Sequence, residues 1–60
     1  MNKSDIYEFS AGEVKFWAES GEPIMLKAIS SHYDPVELNS DEARKIADAL
    51  NKLADWCDIT

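Results

Sequence analysis

Asp34-Pro35-Val36-Glu37-Leu38-Asn39-Ser40-Asp41-Glu42-Ala43 decides the fold, because it carries a short apolar strand straight into one amphipathic helix. Asn39 is a residue type favoured at helix N-caps. Glu42 stands three positions later, where its carboxylate reaches back to the Asn39 amide as in a capping box. Asp41 and Glu42 place negative charge in the first turn, where the helix dipole favours it by ~0.3–1 kcal/mol each. Downstream, Ala43, Ile46, Ala47, Leu50, Leu53, Ala54 and Cys57 recur at three- and four-residue steps, which makes one apolar stripe. The other face carries Asp41, Lys45, Asp48, Lys52 and Asp55. Asp41–Lys45 and Asp48–Lys52 are acid-first i,i+4 pairs, and the face reads as solvated. The spacing predicts a helix over 40–57 that frays at its end. Neither Gly nor Pro closes it there, and Asp55 and Asp58 oppose the dipole.

Upstream, the period changes from four to two. Val14, Phe16 and Ala18 alternate with Lys15, Trp17 and Glu19; Ile24, Leu26 and Ala28 alternate with Met25, Lys27 and Ile29. Ser20-Gly21-Glu22-Pro23 between them is a hairpin connection in character, so 14–29 reads as a β-hairpin. Val36 and Leu38, with Glu37 outward, read as a short third strand over 36–38. Pro35 suits the first residue of such a strand. Ile6-Tyr7-Glu8-Phe9 is either an edge strand or an arm packing on the sheet, and residues 1–5 are polar and expected to be loose. The fold class is therefore α+β: a two- to three-stranded antiparallel sheet followed by one C-terminal amphipathic helix packed on one face, ββ(β)α. The expected core is Val14, Phe16, Ile24, Leu26, Val36 and Leu38 against Ile46, Leu50 and Leu53.

The chain has 60 residues and reads as one domain, 1–60, of a size whose solitary core is marginal. Hydrophobic residues make up 45% and charged residues 30%, which is globular composition. Twelve Asp plus Glu against six Lys plus Arg leave a net charge of −6. Such a surface repels phosphate, so nucleic acid and anionic membranes are not expected partners. There is no long apolar run and no signal-peptide pattern, which points to a cytoplasmic location. Single Cys57 excludes an intrachain disulfide and a Cys-rich zinc site. Its place on the apolar stripe reads as a buried thiol.

No catalytic, cofactor or metal site is expected. His32, the one histidine, lies in the polar loop Ser31-His32-Tyr33-Asp34 and reads as a solvated turn residue. Ala11-Gly12 and Ser20-Gly21 form no phosphate-binding loop. What remains is surplus apolar surface. One helix covers one face of a sheet, which leaves Trp17, Met25 and Ile29 outside, and Tyr7, Phe9 and Trp56 have no evident place in so small a core. Trp and Met are enriched in the buried centres of protein interfaces. These six residues are the candidate interface, most simply of a twofold homodimer.

Ile24-Met25-Leu26-Lys27-Ala28 followed by Asp34-Pro35-Val36-Glu37-Leu38 and the capped, Glu-Ala-bearing helix start resembles a pattern in small bacterial proteins without assigned activity. In those proteins a Ser or Thr stands at the cap, where this chain has Asn39. The resemblance spans about 14–56 and implies the same ββ(β)α layout and no activity. Two functions stay open. One is a small homo-oligomeric interaction or accessory module that also serves another protein. The other is an acidic inhibitor or antitoxin-like partner of a basic protein.

Overall fold

The computed structural model describes residues 2–30 and 35–59. Strands β1 (Tyr7–Phe9), β2 (Val14–Trp17) and β3 (Met25–Ala28) form one antiparallel sheet in the order β1-β2-β3, and helix α1 (Ser40–Ile59) follows. The hairpin stands where the period-two alternation puts it, and its register pairs Phe16 with Leu26 and Trp17 with Met25. The third strand is β1, not 36–38: residues 35–39 carry no strand. The choice follows from packing. Pairing Tyr7 with Phe16 and Phe9 with Val14 stacks both aromatic rings on Phe16, with centroids 5.3 and 5.8 Å away, a preferred offset geometry. Val36 instead packs half-buried against the core without entering a ladder, behind a proline that has no N–H to give.

Residues 2–5, expected to be loose, extend the sheet. Ser4 N–H donates to Ala18 O at 2.8 Å, Ser20 N–H to Asn2 O at 2.7 Å, and Lys3 bridges Glu19. The register slips by one residue between Tyr7↔Phe16 and Lys3↔Glu19. Asp5 and Ile6 together therefore oppose Trp17, which is a β-bulge. The Ser4 hydroxyl fills the gap by accepting from Ala18 N–H at 2.9 Å.

The β1–β2 connection is a left-handed turn. Ser10, Ala11 and Gly12 have φ of 52°, 55° and 87°, and only the glycine adopts that region freely. Glu42 of α1 holds the turn: its carboxylate accepts from Ser10 N–H at 3.2 Å and from Ser10 Oγ–H at 2.8 Å. Asn39 does cap the helix, with Oδ1 accepting from Glu42 N–H at 2.8 Å. The expected return bond from Glu42 to the Asn39 amide is replaced by this longer-range clamp.

Burial centres on Val14, Phe16, Ala18, Ile46, Ala49 and Leu53. Tyr7, Phe9, Val36, Leu50, Trp56 and Cys57 pack around them. The expected core is thus corrected at Ile24, Leu26 and Leu38, which are exposed, and at Leu50 and Val36, which are only half-buried. The helix is rolled toward β1, so its buried line runs through Ile46, Ala49 and Leu53, while Ala43 and Ala47 stay in solvent. The roll carries α1 over β1 and β2 and away from β3.

Candidate interaction surface

Every residue of β3 is exposed. Met25 and Leu26 keep 51% and 54% of their surface, and Ile24 and Ile29 at the ends of the strand are exposed as well. Four consecutive or near-consecutive large apolar side chains in water are costly, at ~25 cal/mol per Å² of apolar surface left unburied. The cause is the reach of the helix. Its buried side chains pack with Val14, Phe16, Ala18, Tyr7 and Phe9, and none of these lies on β3. Leu26 and Ala28 point to the helix side, as the partners of Phe16 and Val14, but no helix stands above them.

The backbone of β3 is open on the same side. Ile29 N–H donates to Glu13 O at 3.0 Å, and Glu13 is the residue opposite Ile29 when the β2–β3 register is continued by one. The odd-numbered residues of β3 therefore make the hydrogen-bonded pairs with β2, and Ile24, Leu26 and Ala28 turn their N–H and C=O groups outward. Among the described residues no backbone group bonds to this edge. A bare apolar edge strand is a template for another strand.

On the face away from the helix, Glu8, Lys15 and Lys27 form one cross-strand row and Trp17 and Met25 the next. Lys15 Nζ lies 3.7 Å from a Glu8 carboxylate oxygen, which offsets the like-charge Lys15–Lys27 pair. Two shallow open grooves flank the rows. One of about 370 Å³ is lined by Gly12, Glu13, Lys15, Lys27 and Ile29. The other, of about 230 Å³, is lined by Trp17, Glu19, Glu22, Pro23 and Met25.

The six residues expected at an interface divide into two groups. Trp17, Met25 and Ile29 stand on this outer face. Tyr7, Phe9 and Trp56 pack around the core on the helix side, so the two sets share no surface. Ile24 and Leu26 belong to the exposed set, although their alternation reads as core. The signal that distinguishes them is in the helix. Apart from Ile46, Leu50 and Leu53 its stripe is built of alanines and one cysteine, too little volume to cover three strands.

His32 lies outside the described residues. Among the described residues no three His, Cys, Asp or Glu side chains converge in a way that could hold a metal ion, and no helix is long and apolar enough to cross a membrane. Comparisons with protein-family models, curated proteins and solved structures find no match.

Proposed function

We propose that the protein is a small homo-oligomeric interaction module, in which two copies associate through the β3 side and the assembled surface serves a further protein. The reading is one of binding rather than catalysis. The observation that carries it is the coincidence, on β3 and the residues that flank it, of four exposed large apolar residues (Ile24, Met25, Leu26 and Ile29) with an outward-facing row of backbone donors and acceptors. Large exposed patches on small soluble chains mark association sites, and a 60-residue domain gains most from extra buried area.

Sedimentation equilibrium over a broad concentration range tests the reading. A mass of twice 6.8 kDa that persists at low micromolar concentration supports it. A monomer at every concentration up to the millimolar range removes it.

A further inference from the structure

We infer that two copies join by antiparallel pairing of β3 with β3 of the second copy, centred on Leu26, to give a continuous sheet in the order β1-β2-β3-β3-β2-β1. This rests on the self-association proposed above and specifies its partner as a second copy of this chain and its register as Leu26 opposite Leu26. A twofold axis perpendicular to the sheet leaves both helices on one side. It requires that directly opposite residues share a face, so only registers centred on a residue are allowed.

Four such centres lie within the strand. Centring on Ala28 sets Leu26 against the polar Ser30 and gives Ile24 no partner in the strand. Centring on Lys27 sets two lysines directly across the axis, a destabilising like-charge pair. Centring on Met25 uses only Ile24 and Leu26 of the three outward-facing residues and sets Ala28 opposite Glu22, outside the strand. Centring on Leu26 sets Leu26 against Leu26, Ile24 against Ala28 and Met25 against Lys27. All three outward-facing residues then exchange both backbone bonds with the second copy. The large Ile24 meets the small Ala28, and each Lys27 lays its stem along Met25.

The area agrees with this. The chain exposes 4604 Å², whereas a compact monomer of 6.8 kDa exposes about 4,000 Å². The excess of about 600 Å² per copy is surface that a partner can bury, on the scale of one side of a small specific interface. The same extension shows in a radius of gyration of 12.2 Å, against about 10.4 Å for a compact 60-residue domain.

The register is read directly by an isotope-filtered NMR experiment on an equimolar mixture of labelled and unlabelled chains, run beside sedimentation on the same sample. In an antiparallel ladder the Cα atoms of a non-hydrogen-bonded pair approach to about 4.5 Å. Met25 and Lys27 form such a pair here, so an intermolecular contact between their Hα protons is expected. None of the other three centres produces it. A dimer that lacks this contact overturns the pairing and leaves self-association standing; a monomer overturns both.

Leu26→Pro provides a second, independent reading. Leu26 N–H faces the open edge and bonds to no backbone group among the described residues, so proline is tolerated there as on other edge strands. The variant keeps the Lys27 amide protected against hydrogen exchange and dimerises about 100-fold more weakly. Dimerisation of Leu26→Pro at wild-type strength overturns the inference.

Discussion

At the scale of single residues, the most consequential contact joins Glu42 to Ser10 across 32 positions of sequence. It satisfies a backbone donor in a turn where two non-glycine residues, Ser10 and Ala11, take positive φ, each at a cost of about 1–2 kcal/mol. The clamp and the strain offset one another. Glu42→Ala removes a charge-assisted pair and lowers unfolding free energy by about 1–3 kcal/mol, read as a fall in urea midpoint at unchanged slope. Ala11→Gly relieves the left-handed strain and gives back part of the gain to the unfolded chain, for a net stabilisation of about 0.5–1 kcal/mol in the same titration. A destabilised Ala11→Gly variant would show that the turn is not strained. Sequence reading found Glu42 because its spacing from Asn39 is local. The partner Ser10 is set by how the helix lies on β1, which no spacing records.

At the scale of elements, the alternations in 14–29 and the period of α1 are strong local signals. The hairpin stands where its alternation puts it, and α1 starts at Ser40 as expected but runs to Ile59 rather than fraying by 57. The third strand is a competition between Tyr7–Phe9 and 36–38, each only three residues long. A period of two over three residues cannot decide it; the aromatic stack on Phe16 does. The roll of α1 was equally hidden. Ala43, Ala47, Ala49 and Ala54 are alike in hydropathy, so the stripe could be drawn on either side of Ile46. The structure buries Ala49 and leaves Ala47 in solvent. Leucine at the two positions separates these choices. Ala49→Leu overpacks the contact with the sheet and costs about 1–3 kcal/mol, a drop of several degrees or more in melting temperature for so small a domain. Ala47→Leu changes stability by no more than about 0.5 kcal/mol. Equal losses at both sites would place the helix midway between the two.

At the scale of the whole molecule, association must overcome charge. Each copy carries −6 on a body only 35 × 21 × 14 Å in extent, so two copies repel over distances comparable to their own size when salt is low. The screening length falls from about 30 Å at 0.01 M to about 10 Å at 0.1 M, while apolar burial and backbone pairing at β3 depend little on salt. Self-association therefore tightens as salt rises, by about 3–10-fold in dissociation constant between 0.01 and 0.3 M. An acidic inhibitor acting on a basic protein behaves in the opposite sense, because its attraction to that partner is what salt screens. Sedimentation of the chain alone across that salt range reads the first behaviour. A dimer that loosens with salt would mean that charge pairs such as Lys27 with a carboxylate of the second copy, rather than the apolar strand edge, hold the copies together.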